Sequence, residues 1–151
     1  MEYTLYFYKN IERIIIMNIE FLVVSYFVGL FVDWIFQSDW QALNKSKWNK
    51  NDDKKKSLLA VTSHSLIYSL LTSILIFICI KISLIDFYIL IVILFITHTI
   101  IDTRIPVKFI MKLKGMTNDQ INDFTKYGFL HIGIDHRLHE LILFILSFII
   151  N

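Results

Sequence analysis

Cysteine and proline occur once each in this 151-residue chain, glycine four times, and charged residues make up only 19%. The lone thiol, Cys79, cannot form an intrachain bridge, so a disulfide scaffold is excluded. So little proline and glycine excludes a collagen-like repeat and leaves few positions punctuated as turn. A formal net charge of +2 gives no global basicity of the kind that nucleic-acid binding needs. What remains is apolar. Hydrophobic residues are 56% of the chain, where soluble domains hold about 45–50%. The composition is that of one membrane domain, with no disordered tail, internal repeat or low-complexity segment.

A spanning helix needs about 20 mostly apolar residues. Four stretches qualify, at about 19–37, 58–80, 84–102 and 129–150. The expected fold is all-α, an integral membrane bundle of four transmembrane helices with short interfacial helices on the cytoplasmic side. The connector 81–83 is short enough to make the second and third spans a tight antiparallel hairpin. Segment 1–18 lacks the basic start, apolar centre and cleavage site of a signal peptide. Met17 is a plausible start, since the codons of Glu12 and Arg13 could hold a ribosome-binding sequence. That leaves 19–151 as the membrane domain.

Charge orients it. Segment 38–57 sets Lys45, Lys47, Lys50, Lys54, Lys55 and Lys56 against Asp39, Asp52 and Asp53, a net +3. Segment 103–128 sets Arg104, Lys108, Lys112, Lys114 and Lys126 against Asp119 and Asp123, again +3. The positive-inside rule makes both connectors cytoplasmic and both termini external, in a multi-pass protein of the cell inner membrane. Within the second connector, 105–114 reads as an interfacial helix whose Lys108 and Lys112 reach toward headgroups. Thr117 and Gln120 then form a capping box with Met116 and Ile121 as its staple, and Gly128 is placed to end that short helix.

The spans themselves carry Glu20, Asp33, Asp102, Asp135 and Glu140 against Arg137, a formal −4. All five histidines, His64, His98, His131, His136 and His139, lie in or beside them. An ionisable group at the centre of a span costs at least about 2.5–3.5 kcal/mol, so a functional site is the first expectation. His98 and Asp102 share one helix face, as do His131, Asp135 and His139. The first span offers Ser25, Gly29, Asp33 and Gln37, and the second His64 and Tyr68. With the orientation above, the cluster sits near the cytoplasmic ends, with His64, Asp135 and His139 in the first turns of their helices. Asp39, Trp40, Asn44 and Lys45 either orient a headgroup or anchor the helix end.

Imidazole and carboxylate together suit a divalent transition metal, zinc, manganese or iron. His64, His98, Asp102, Asp135 and His139 are the candidate ligands. Asp33 and Asp135 are the candidate catalytic carboxylates, Asp33 as a further ligand or general base. Lys54, Lys55, Lys56 and Lys108 would attract an anionic lipid or lipid-linked phosphate substrate. A lone His such as His64 is more often hydrogen-bonded to a neighbouring helix than metal-bound, and His131 and His136 read as interfacial or bridging groups.

The run Asp33-Trp34-Ile35-Phe36-Gln37-Ser38-Asp39-Trp40 with Asn44-Lys45 resembles a small bacterial and phage membrane family, domain of unknown function 3307. The resemblance continues through Ser63-His64 to Tyr68, through His98 to Asp102, and through Gly133-Ile134-Asp135-His136-Arg137-Leu138-His139. It covers nearly all of the chain after Met17. That family usually has His where this chain has Gly29, and Gln where it has His136, so His136 is a possible replacement for the missing imidazole. The pattern is also similar to membrane-bound metal-dependent hydrolases, which implies a reaction class. The leading expectation is a metal-dependent hydrolase acting at the inner leaflet. The rivals are a proton- or metal-coupled transporter, and a non-catalytic phage or bacterial membrane protein with a structural polar network.

Overall fold

The computed structural model describes residues 17–45 and 54–150. Most of segment 1–18, with Glu12 and Arg13, and the connector residues Lys47, Lys50, Asp52 and Asp53 fall outside them. The described residues form seven helices and no strand: α1 (Ile19–Ile35), α2 (Asp39–Lys45), α3 (Lys54–Ile80), α4 (Leu84–Asp102), α5 (Ile105–Leu113), α6 (Asn118–Asn122) and α7 (Phe124–Leu146).

Local chemistry sets each boundary. The Asn18 side chain accepts the Phe21 amide at 2.9 Å and caps α1. The Asn18 backbone N–H donates to Ser147 O at 2.7 Å, placing the start of α1 beside the end of α7. α1 stops at Ile35, because Ser38 and Gln41 exchange side-chain bonds to each other's amides at 3.3 and 2.9 Å and begin a new helix. The two axes differ by 96°, so the first predicted span is bent rather than straight to residue 37. Gln41 Nε2 also donates to Ser63 Oγ at 3.1 Å, which lays α2 across α3. At the other end Lys81 takes a left-handed φ of 50° and Ser83 caps α4, closing the expected α3–α4 hairpin.

Two boundaries correct the sequence reading. α3 begins at Lys54, not 58, since Lys54, Lys55 and Lys56 are good helix formers with solvated side chains. α7 begins at Phe124, not 129, because the Asp123 side chain accepts the Lys126 amide at 3.1 Å. Gly128 therefore lies inside α7, packed on the Phe124 ring, and does not end α6. His64 and His139 consequently sit in the third and fifth turns of their helices, not the first. The Thr117–Gln120 capping box is present, with Ile121 buried and Met116 packed beside it.

Phe21, Ile76, Leu90, Leu94, Leu143 and Leu146 fill an apolar core toward the Asn18 end. Val107, Met111, Ile121 and Ile134 form a second, smaller core that seats α5 and α6 on α7. Large apolar side chains also face outward all round, among them Phe27, Phe31, Ile78, Ile85, Val92 and Ile96. Such a surface needs an apolar solvent.

Among the described residues, α3 and α4 are long and apolar enough to cross a membrane, and the bent α1–α2 pair makes a third candidate. α7 is not in that set. Lys126, Asp135, Arg137 and Glu140 interrupt its apolar sequence.

Candidate metal centre

Four helices deliver one or two polar groups each to a common point. Asp33 comes from the last turns of α1, His64 and Tyr68 from α3, His98 and Asp102 from α4, and His139 from α7. The i, i+4 spacing of His98 and Asp102 stacks them on one face. His64, His98 and Asp102 are each 1% exposed, so what happens there happens out of water.

The atoms close a ring. His64 Nε2 is 2.9 Å from Asp33 Oδ1 and 3.6 Å from Asp102 Oδ2. His98 Nε2 is 3.8 Å from Asp33 Oδ1 and 3.5 Å from Asp102 Oδ2. Bonds of 2.0–2.1 Å in a tetrahedral site separate adjacent ligand atoms by about 3.3 Å, so these four edges bracket the spacing that a cation would impose. Asp33, His64 and His98 form one possible ligand trio; His98, Asp102 and His139 form another. Each is two imidazoles and one carboxylate, a set that leaves coordination positions open.

The unsatisfied groups make the same point. His98 Nε2, Asp102 Oδ2 and His139 Nε2 are buried without a hydrogen-bond partner. Buried polar atoms are normally paired, and three orphans of ligand type around one point suit a cation held between them. The His98 ring is also held in place, stacked on Tyr68 at 3.9 Å and on His139 at 4.2 Å.

Lys45 is the participant that sequence reading treated only as an anchor or headgroup group. The bend into α2 turns its ammonium inward, 3.0 Å from Asp102 Oδ1, with only 6% of the residue exposed. Ser57 Oγ donates to the Lys45 carbonyl at 3.3 Å and fixes the end of α2. No periodicity predicts this contact, which joins residues 57 apart in sequence.

Asp135, expected among the ligands, belongs to neither trio. It lines a neighbouring cavity of about 330 Å³ together with Asp33, Gln37, Lys45, Arg104 and His136, and its Oδ1 is buried without a partner. His136 does not replace the missing imidazole; it packs near Trp34, ring centres 6.0 Å apart. The place beside Gly29 is taken by Tyr68, whose hydroxyl would sit 2.8 Å from any Cβ there. His131 bridges helices, its Nε2 donating to Ile121 O at 2.8 Å.

The expected headgroup lysines are elsewhere. Lys54, Lys55 and Lys56 are exposed in the first turn of α3. Lys108 reaches Asn122 Oδ1 at 3.3 Å on the α5–α6 surface, away from the cavity. Burial, and then the neighbouring Arg104 guanidinium, hold its ammonium below the usual lysine value. Arg104 itself, counted from sequence only as a loop charge, lines the cavity. No protein-family model matches this chain, and neither the curated proteins nor the solved structures give a match.

Proposed function

We propose that the protein is a four-span inner-membrane hydrolase dependent on a divalent transition metal, acting on phosphoesters at the cytoplasmic side. The observation that carries this reading is the pair of two-His-one-Asp trios meeting at His98, buried beside an accessible polar cavity. The similarity of the motif pattern to membrane-bound metal-dependent hydrolases supports the same reaction class.

In this account one of the two trios, Asp33 with His64 and His98 or Asp102 with His98 and His139, would hold the cation and leave a position open. When bound, it supplies Lewis-acid polarisation and a water acidic enough to react near neutral pH. Lys45 offsets the carboxylate charge and gives a substrate anion a second contact. Asp135, outside the ligand set with an unpaired oxygen, accepts a proton from water in the cavity. α7 serves as the fourth span because Asp135, His131 and His139 turn inward, while Arg137 pairs with Glu140 one turn away.

Buried Ser65, Ser69, Thr72 and Ser73 extend polarity along α3 from the site, but Ile76, Ile82, Leu90, Leu146 and Ile150 close the bundle beyond them. That favours a one-sided catalytic site over a transport path. The test is hydrolysis of phosphoester substrates by the purified protein. Activity should vanish on chelation, return with one added metal, and fall at least a hundredfold in His98→Ala. Activity indifferent to chelation and to His98→Ala would reject the assignment.

A further inference from the structure

Two hollows meet at Asp33, and a third adjoins them. The polar cavity, with exposed Trp34, Asp39 and Ala42 at its rim, opens beside the cluster. A narrow cleft of about 30 Å³ between α1 and α7 shares Asp33 and His136 with it and runs past Gly29 to exposed Leu30. A shallow, open apolar groove lies along the outer face of α1 alone, formed by Phe27, Phe31 and Ile35. That groove shares Leu30 with the cleft and Trp34 with the polar cavity. Polar and apolar hollows therefore adjoin at Trp34 and Leu30, an arrangement that suits an amphiphile.

At its polar end the cavity sets two cations, Arg104 and Lys45, among the carboxylates of Asp33, Asp39 and Asp135, and Arg104 has donors to spare for an anion. Arg104 lines the cavity with Nε and Nη1 buried and unpaired. The residue holds a left-handed φ of 60°, unfavourable for a side chain of this size, and its guanidinium stands over the Phe124 ring at 5.2 Å. Lys45 shares the same cavity. A planar guanidinium fork with free donors is suited to phosphate oxygens.

We infer that the substrate is a phosphate monoester of a lipid, its phosphate held by Arg104 and Lys45 and its chain lying over Trp34 in the α1 groove. This rests on the hydrolase reading and deepens it. In the reaction the oxygen of water bonds to phosphorus and the bond from phosphorus to the lipid oxygen breaks. The proton that water loses passes through Asp135 to the departing alcohol.

The experiment uses the full chain in mild detergent, titrated with dioleoyl phosphatidic acid. Bound lipid is counted by native mass spectrometry and released phosphate is added to the count. Dioleoyl phosphatidylcholine, glycerol phosphate and inorganic phosphate are the comparison probes. Phosphatidic acid should bind at least tenfold tighter than all three. Arg104→Gln should lose about tenfold or more of that preference, with Arg104→Lys between. A merely structural Arg104 would instead weaken phosphatidylcholine and phosphatidic acid alike. Trp34→Ala should weaken phosphatidic acid and leave glycerol phosphate unchanged.

Equal affinity for the two lipids, or unchanged selectivity in a folded Arg104→Gln, overturns the inference. Glycerol phosphate or inorganic phosphate binding as tightly as phosphatidic acid assigns the pocket to a free anion and overturns the lipid part. Metal content measured on the same samples separates the two claims. A metal-loaded protein that ignores phosphatidic acid loses the substrate class and keeps the centre. A metal-free protein that binds it through Arg104 keeps the lipid site and loses the metal.

Discussion

At the scale of single residues, Lys45 decides how the site exists without a cation. Its ammonium pairs with the buried Asp102 carboxylate at 3.0 Å, so removing it breaks a buried ion pair. Loss of one partner of a buried pair costs about 3–5 kcal/mol. Lys45→Met should therefore lower the unfolding temperature of metal-free protein strongly. Added zinc should restore more stability to the variant than to wild type, because the cation takes over the charge balance. Equal zinc effects on both proteins would show that Lys45 and the metal site are independent. The candidate ligands His64, His98, Asp102 and His139 were readable from the sequence, since acids and imidazoles are costly inside apolar helices and an i, i+4 spacing gives them one face. Asp135 shared that pattern yet faces the neighbouring cavity. Spacing defines a helix face but not which neighbour that face meets.

The helices show where such reading stops. The hairpin at 81–83 and the Thr117–Gln120 box were legible because their signals are local. The 96° turn between α1 and α2 depends on a second box, Ser38 with Gln41, inside a segment apolar enough to pass as continuous helix. Gly128 misled in the opposite sense: its backbone freedom suggests a stop, but the Asp123 cap starts α7 before it. Gln41 holds both the box and the bond to Ser63. Gln41→Ala should destabilise the protein by about 1–2 kcal/mol in denaturant titration. Metal affinity should change little, since Gln41 touches no ligand; a large loss would mean that α2 shapes the centre directly.

Among the described residues, α2, α5 and the cluster share one end of the bundle, while the α3–α4 turn and the Asn18 end of α1 share the other. Applied to the net charge of the connectors, the positive-inside rule predicts that the cluster end is cytoplasmic. In a Cys79→Ser background, Leu84→Cys should react with a membrane-impermeant maleimide on intact cells. Lys114→Cys should react only after permeabilisation. The reverse pattern would invert the topology and put the site outside. Rivals without catalysis use the same polar groups for packing alone, and they differ in one respect: packing has no need of a cation.

Metal analysis of protein purified in mild detergent, wild type beside a folded His64→Ala/His98→Ala variant, is therefore the most direct test. The account predicts about one tightly held zinc, manganese or iron per chain, absent from the variant. A wild-type protein that takes up no metal after supplementation, or a variant that keeps it, would contradict the account and leave the His/Asp cluster as a structural polar network.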